Sequence, residues 1–239
     1  SVMSQKYLGE VFDIHTGGID LIPTHHENEI AQSKGMCGKI PANYWMHGEF
    51  LLINGGKMSK SLGNVYLLQD IVDRGYDPLV YKLFCYSIQY RKKLNFTWEG
   101  MDSAKIALDR LREAYQKHLT GTEDVAEELI SKYEKDFNEA INDDLNMPVA
   151  MSVVWEVAKR TEKSKKLAEL LKKFDRVLGI KIDEHKEEEI PDDIKELLTK
   201  RAEARKNKDW AESDKIRDII KEKGYIVKDS KEGQTVQKI

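Results

Sequence analysis

Two lysines and two serines lie close together in residues 54–64, which read Asn-Gly-Gly-Lys-Met-Ser-Lys-Ser-Leu-Gly-Asn. An apolar run, residues 50–53, comes directly before this stretch. Glycine lets a backbone close over a ligand, and ammonium groups attract negative charge. The stretch is therefore typical of a phosphate-binding loop, with Lys57 and Lys60 as the candidate ligands. Taken alone, a lysine–serine loop is equally compatible with a solvated basic turn.

A second candidate site is a histidine–carboxylate pair. His25 and Glu29 are four residues apart in a predicted helix, so their side chains project from one face and are able to share a metal ion. Histidine and acidic residues are also common near helix starts for capping and surface reasons. A closed zinc site needs about four ligands, so this pair predicts at most half of one.

Three more polar residues follow strand candidates. His15 and His47 each end a predicted strand, and Asp20 follows the Gly17–Gly18 pair. A carboxylate after two glycines is well placed to hold a ribose diol. Each histidine taken singly is compatible with a purely structural role, but together these residues predict one cleft at the strand ends.

The secondary structure predicted around these residues is of the α/β class. Strand 7–14 runs into a tight turn at 15–20, and a helix follows from Thr24, where Thr24 and Glu27 predict a capping box. A strand over 44–53 then leads into the lysine loop. The later periodicity is helical, with a basic loop at 90–96. The predicted helices span 67–72, 78–87, 101–119, 123–141, 147–159, 162–178, 192–207 and 210–223, and a short strand spans 225–227.

The composition favours a soluble, helix-rich globular protein. Of 239 residues, 34% are charged and 40% hydrophobic, and the net charge is −3. No apolar run reaches the roughly 20 residues of a membrane span. Only Cys37 and Cys85 are present, which indicates a reducing compartment without a disulfide framework.

Several motifs together resemble the cysteinyl-tRNA synthetase family of class I aminoacyl-tRNA synthetases. The pentad 57–61 matches the second nucleotide-binding motif of that class letter for letter. Residues 12–32, with Gly-Gly-Ile-Asp and His-His-Glu-Asn-Glu, resemble the family's zinc and nucleotide region, and 43–47 resemble its next active-site segment. Residues 142–148 look like its bundle motif, and 208–218 look like its C-terminal domain motif.

The resemblance implies a role for each candidate residue. His25 and Glu29 would bind zinc, and His15 and His47 would line the cysteine pocket. Gly18 and Asp20 would contact the adenosine of ATP. Lys57 and Lys60 would face its phosphates, with Mg2+ accompanying the nucleotide.

The resemblance also implies a domain order. We expect the C-terminal half of a class I nucleotide-binding, Rossmann-like α/β domain, then an all-α helical bundle and a small C-terminal α+β domain. The expected boundaries are 1–66 for the catalytic part, 67–100 for a stem-contact segment, 101–179 for the bundle, 180–191 for a linker and 192–239 for a tRNA anticodon-binding domain.

The family's first motif, His-Ile-Gly-His, is not found in the sequence. We therefore expect a C-terminal portion of a cysteine–tRNA ligase, inactive alone, with half a zinc site. The expected partners are tRNA-Cys, L-cysteine and ATP, and we expect a cytoplasmic monomer without a membrane partner. Two alternatives stay open, a non-catalytic tRNA-binding fragment and a paralogous ATP-dependent cysteine:amino-sugar ligase. The resemblance implies that such amino-sugar ligases lack the tRNA-reading C-terminal domain. The 192–227 segment, which contains Arg201, Arg205, Lys206 and Trp210, therefore favours a tRNA ligase.

Overall fold

The computed structural model describes residues 1–184, 191–230 and 233–238, without the side chains at positions 60, 228, 230, 235, 237 and 238. The chain divides into two compact units, Ser1–His185 and Lys186–Ile239. No helix in the described ranges is both long and apolar enough to cross a membrane.

The first unit begins with a helix and a pair of parallel strands. Helix α1 spans Val2–Leu8, strand β1 spans Phe12–Gly18, and β1 pairs with β2, Ala42–Gly48. The predicted strand over 7–14 is therefore wrong at its start, because Tyr7 is helical. The predicted turn at 15–20 is also wrong, since its first four residues continue the strand and pair with β2.

The segment between β1 and β2 is helical from Ile19 to Cys37. A 3-10 turn at Ile19–Leu21 leads into a π-helical turn at Ile22–His26, and α2 follows at Glu27–Cys37. The capping box predicted from Thr24 and Glu27 is not formed. The chain enters α2 from a turn that is already helical, so no extended residue precedes it to place a capping hydroxyl.

A second sheet carries the lysine loop. Strands β3 (Leu51–Ile53), β4 (Gly56–Lys57) and β5 (Leu94–Phe96) are ordered β4-β3-β5. The single strand predicted over 44–53 is therefore two strands in two different sheets. The basic loop predicted over 90–96 ends in β5, because Phe96 is buried and β5 pairs with β3 in parallel.

The helical part of this unit surrounds the main apolar core. Its members are α3 (Leu68–Asp73), α4 (Pro78–Cys85), α5 (Trp98–Leu119), α6 (Glu127–Asn142), α7 (Met147–Ala158) and α8 (Lys165–Leu178). Helix α5 starts earlier than predicted because the Thr97 hydroxyl caps it by accepting from Gly100 N. The predicted starts of α6 and α8 are too early, because 122–123 and 163–164 bond to each other instead.

The periodicity of 101–119 predicts an apolar face formed by Ile106, Leu108, Leu111 and Tyr115, but the buried face of α5 differs from it. Ile106 is 51% exposed, whereas Ala104 and Leu108 are buried. Positions two residues apart lie about 200° apart around a helix, so Ile106 and Leu108 cannot share a face. Met101, Ala104, Leu108 and Leu111 form the buried stripe instead.

The bundle extends past α8 into the predicted linker. Ile180 and Ile182 are fully buried, and their main-chain N atoms donate to the Asp175 carboxylate. The buried Arg112 side chain binds the carbonyl of Lys181 and the Glu184 carboxylate. The chain thus leaves the core later than the predicted linker start at 180. Residues 185–190 of that linker lie outside the described residues.

The second unit is a small α+β arrangement. Helices α9 (Asp192–Lys206) and α10 (Trp210–Glu222) precede an antiparallel pair, β6 (Tyr225–Ser230) and β7 (Gly233–Lys238). The short strand predicted over 225–227 is longer and has a partner strand. Ile194, Ile216 and Ile220 form the buried interior of this unit.

Candidate active site

Parallel pairing of β1 and β2 brings the predicted histidines to the same region. In this register His15 lies opposite Trp45, and Gly17 lies opposite His47. The rings of His15 and Trp45 meet edge to face, with centroids 4.8 Å apart. Residues 30 or more apart in sequence thus become neighbours through backbone hydrogen bonds alone.

His26 is the buried centre of this group. It is 4% exposed, and its ring centroid lies 4.6 Å from that of His15 and 5.0 Å from that of Trp45. Its Nδ1 atom is hydrogen-bonded to Nε2 of His47 at 2.8 Å. Burial, and then the nearby His15 and His47 rings, lower the pKa of His26, so its neutral form is favoured.

No role for His26 follows from the sequence. The adjacent His25–His26 pair was the available signal, but helix spacing favoured only its first member. The π-helical turn at 22–26 decides the outcome, because it turns His26 inward while His25 stays 59% exposed.

Glu29 connects the two predicted parts of the site. Its Oε2 atom lies 2.5 Å from Nε2 of His15, and its Oε1 atom lies 3.6 Å from Nε2 of His25. Burial raises the pKa of this carboxyl, but the hydrogen bond from His15 and the charges of both histidines outweigh it and hold the pKa below its ordinary value. Glu29 is therefore a carboxylate with one oxygen engaged and the other facing His25.

The donors in this region fit a metal ion. Ligand atoms of His15, His26 and Glu29 all lie within 4.8 Å of one another. These three residues offer imidazole nitrogens and a carboxylate, donors that zinc takes in proteins, whereas the predicted ligand His25 is not one of the three. The geometry brings His15 into the donor cluster together with the predicted Glu29, so the cluster is larger than the spacing of His25 and Glu29 indicated.

The predicted adenosine contacts, Gly18 and Asp20, lie at the end of β1 and in the turn after it. Gly18 ends the strand and Asp20 lies in the next 3-10 turn, exposed, with its carboxylate folded over the Gly18 Cα. A side chain at position 18 would collide with that carboxylate. Glycine here therefore lets an acidic group lie close to the backbone at the strand end.

The lysine loop is a hairpin whose shape two asparagines hold. Asn54 and Gly55 have φ of 49° and 78°, the left-handed pair that tight hairpins require. The Oδ1 atom of Asn95 accepts from Gly55 N at 2.7 Å. Further along, Asn64 accepts from Ser59 N at 2.8 Å and donates to the carbonyl of Lys57 at 3.1 Å.

The lysines themselves differ in what is described. Lys57 is exposed in β4. The backbone of Lys60 begins a 3-10 turn at Lys60–Leu62, and its side chain lies outside the described residues. The lysines are recognisable from the sequence, whereas Asn64 and Asn95 are not, because their hydrogen bonds depend on the folded loop.

Three family models match the chain in order. The class I (C) catalytic domain of tRNA synthetases matches residues 1–106, the DALR domain 136–183, and the cysteinyl-tRNA ligase anticodon binding domain 187–236. Over these three ranges the chain matches the cysteinyl-tRNA synthetase family. The predicted order of an α/β catalytic part, a helical bundle and a small α+β domain is confirmed.

Curated relatives of the cysteinyl-tRNA synthetase family support this assignment. Cysteine–tRNA ligase 1 of Burkholderia lata is 43% identical over 237 residues, covering 98% of this chain and 49% of the relative. The Protochlamydia amoebophila cysteine–tRNA ligase is 38% identical, covering 100% and 53%. The chain spans about half the length of the curated relatives it matches.

The fold also has a structural counterpart. A LeuRS–tRNA–LeuAMS ternary complex from Agrobacterium radiobacter K84 matches with a TM-score of 0.55 at 16% identity. The match covers 70% of this chain and 26% of that one. At this identity the likeness indicates a shared fold only.

In the segment that matches the anticodon binding domain, two sequence interpretations change. Beside basic helix residues Trp210 is compatible with base stacking, but the sequence favours a position in the core of a small domain; in the structure it is 59% exposed at the start of α10. Arg201 was counted among the basic residues for tRNA, but it is 1% exposed and donates to both Asp229 oxygens and to Gln234. Arg205 also pairs with Asp229. The Trp210 ring is therefore accessible to a nucleic-acid partner, whereas the Arg201 side chain is buried and hydrogen-bonded within the unit.

Proposed function

We propose that this chain works as the C-terminal portion of a cysteine–tRNA ligase. The reaction has two steps: cysteine is activated by ATP to cysteinyl-adenylate, and the cysteinyl group is then transferred to tRNA-Cys. The observation that carries the proposal is that the histidine–glutamate cluster and the lysine hairpin occur within a chain matching catalytic, DALR and anticodon-binding models in that order.

The cysteine side of the site is assigned to the histidine cluster. His25 and Glu29 would hold zinc, with the other ligands supplied from outside this chain. The Glu29 Oε1 atom lies 3.6 Å from Nε2 of His25, which supports this pairing, while His15 orients the carboxylate through Oε2. When bound, zinc would select the substrate by accepting its soft thiol sulfur, a ligand that serine cannot provide. His15 and His47 would line the pocket.

The nucleotide side is assigned to the end of β1 and the lysine hairpin. Gly18 and Asp20 would contact the adenosine, with the Asp20 carboxylate accepting from the ribose hydroxyls. The cysteine carboxylate attacks the α-phosphate, and charge develops on the departing pyrophosphate. Lys57 and Lys60 would stabilise that charge, with Mg2+ bound to the nucleotide.

The partners follow from the same assignment. We propose tRNA-Cys as the nucleic-acid partner, contacted through the unit that matches the anticodon binding domain, and a monomeric protein acting in the cytoplasm. The cysteine:amino-sugar ligase is the weaker candidate, because 187–236 matches an anticodon binding domain.

The test is cysteine-dependent exchange of pyrophosphate into ATP by the polypeptide that joins this chain to a family N-terminal half. We expect exchange with cysteine and none with serine. Replacing Lys60 by alanine should lower kcat about 100-fold while leaving the KM for cysteine near its original value, since the lysine acts on developing charge. Lys39→Ala, which removes an exposed lysine paired with Glu10, is the control and should change neither constant.

Equal losses in kcat and cysteine affinity would contradict the lysine assignment. Absence of exchange in the unmutated polypeptide would contradict the ligase assignment. If the polypeptide then still bound tRNA with steep salt dependence, the non-catalytic tRNA-binding module would be the better account.

A further inference from the structure

The turn between α6 and α7 contains a carboxylate with an unusual number of partners. Asp144 lies in this turn with φ of 52°, and Leu145 follows at 54°. Left-handed backbone is costly for most residues but accessible to Asp and Asn. This turn is the motif over 142–148 that the sequence analysis placed in the bundle, and none of the roles assigned so far uses it.

Asp144 receives hydrogen bonds from three consecutive residues, and we call these four residues the Asp144 cluster. The Tyr90 hydroxyl donates to Oδ1 at 2.7 Å, and Arg91 donates to both oxygens, at 2.5 Å from Nε and 3.2 Å from its terminal nitrogen. Gln89 Nε2 reaches the Asp144 carbonyl and Oδ2, each at 3.2 Å. Each of the three side chains of segment 89–91 is therefore hydrogen-bonded to the turn between α6 and α7.

The main chain of the same segment reaches the cysteine side of the candidate active site. The carbonyl of Tyr90 accepts from Glu49 N at 2.9 Å. Glu49 follows directly after β2, and His47 lies two residues before it. Gly48 also approaches this carbonyl, since a Cβ there would lie 3.9 Å from it. The end of the His47 strand is thus tied to segment 89–91 by a backbone hydrogen bond.

The lysine hairpin depends on the Asp144 cluster much less. Strand β5 follows segment 89–91, but three residue pairs of its own hold it to β3. The Asn95 bond to Gly55 N lies within that same sheet. Loss of the Asp144 contacts should therefore release the end of β2 and leave the lysine loop in place.

Stability alone does not account for these contacts. The Asp144 and Arg91 side chains are 46% and 57% exposed, and exposed ion pairs add little to folding free energy. A bidentate Arg–carboxylate pair does fix the relative position of its two residues, however, because two parallel hydrogen bonds align the guanidinium plane with the carboxylate plane. The cluster is better suited to positioning than to stabilising.

We propose that Asp144 is a positioning residue for the cysteine pocket. Through Gln89, Tyr90 and Arg91 it holds the end of β2, and thereby His47, at a fixed place relative to the helical bundle. This inference rests on the proposed function, because it concerns the pocket in which the ligase would hold cysteine.

The first measurement follows amide hydrogen exchange in the 239-residue chain. In Asp144→Asn, which keeps the left-handed preference and loses the charge, the Glu49 amide should exchange about tenfold faster, because its acceptor is no longer held. The amides of Leu171 in the core and Gly55 in the hairpin should keep their rates. Asp143→Asn is the matched control, because Asp143 bonds to Asn146 within the turn. It should change none of these rates.

The second measurement is pyrophosphate exchange by the polypeptide that also contains the N-terminal half. Asp144→Asn should raise the KM for cysteine about tenfold with the KM for ATP unchanged, since displacement of a pocket residue by a fraction of an ångström is sufficient. Arg91→Gln should do the same from the other side of the pair. Asp143→Asn should match the unmutated polypeptide.

Each outcome separates the two proposals. An unchanged rate of hydrogen exchange at the Glu49 amide overturns the positioning role, whatever the kinetics show. Faster hydrogen exchange at the Glu49 amide with an unchanged KM for cysteine also overturns it, because the contact would then be structural only. If the unmutated polypeptide shows no pyrophosphate exchange, the proposed function fails, and the positioning role in the cysteine pocket fails with it. The amide hydrogen-exchange rates still report whether Asp144 holds β2.

Discussion

A Cβ atom on Gly17 would lie 2.7 Å from Cε1 of His26, so the ring of His26 occupies the space that any side chain at position 17 would need. The same Cβ would lie 2.9 Å from a methyl carbon of Leu21. Glycine at this point of β1 is therefore a packing requirement. It lets a buried ring lie directly against the strand, where it reaches His47 on the neighbouring strand.

We expect Gly17→Ala to displace His26 and to lower the free energy of unfolding by about 1–3 kcal/mol, the usual cost of overpacking. Denaturant unfolding of the chain measures this. Gly35→Ala is the control, because nothing lies within 4 Å of a Cβ there and alanine favours the interior of α2. Equal stability of the two variants would show that the His26 ring moves aside without cost.

Asn64 should control the conformation of the lysine loop. Its side chain bridges Ser59 N and the carbonyl of Lys57, and Asn64→Ala removes both bonds. We expect about a tenfold loss in kcat for pyrophosphate exchange, because the lysines lose their preset positions. Asn64→Asp keeps the acceptor for Ser59 N and should lose less. Leu62 lies in the same loop and is 69% exposed, so Leu62→Ala should leave kcat unchanged. If Leu62→Ala lowered kcat as much as Asn64→Ala does, the role of the Asn64 hydrogen bonds would be contradicted.

Trp210 should contribute to tRNA binding through its exposed ring. Stacking of a base on an aromatic side chain is worth about 1–3 kcal/mol, so Trp210→Ala should weaken binding of tRNA-Cys about tenfold or more. Trp210→Phe should retain most of the affinity. Binding measured at constant salt tests this, with Ile226→Ala as an exposed apolar control in the same unit. Equal affinity of the two alanine variants would exclude stacking on Trp210.

Asp229 should make the C-terminal unit sensitive to acid. Hydrogen bonds from Arg201, and then from Arg205, hold the pKa of this carboxyl well below its ordinary value of 3.8, although burial opposes them. Because the pKa is lower in the folded state, the stabilisation is present above about pH 4 and is lost as the pH falls below it. Amide NMR signals of α10 followed during acid titration of the whole chain report this loss.

At neutral pH, Asp229→Asn should destabilise the C-terminal unit by about 1–3 kcal/mol, because the buried Arg201 guanidinium loses its charged partner. The stability of the C-terminal unit should also depend less on pH below about pH 4 in this variant. Asp214→Asn is the control, since Asp214 forms an exposed pair with Arg217 within α10. An acid transition that is unchanged in Asp229→Asn would contradict the role of this pair.

Features that depend on short stretches of chain are predictable from the sequence alone. The lysine pentad, the four-residue spacing of His25 and Glu29, the order of α/β, helical and C-terminal parts, and the stops at prolines and glycines are all local. Helical periodicity predicted most helices to within a few residues, and it was wrong where side chains or neighbouring segments shifted an end, as at Thr97.

Contacts between residues far apart in sequence become visible only in the folded chain. His26 and His47 are 21 residues apart, and Arg91 and Asp144 are 53 apart. Their contacts arise from parallel strand pairing, a π-helical turn and the packing of a bundle turn onto a loop. Residue spacing along a chain fixes the faces of one helix or strand, whereas contacts between distant segments depend on how those faces pack, which no local pattern encodes.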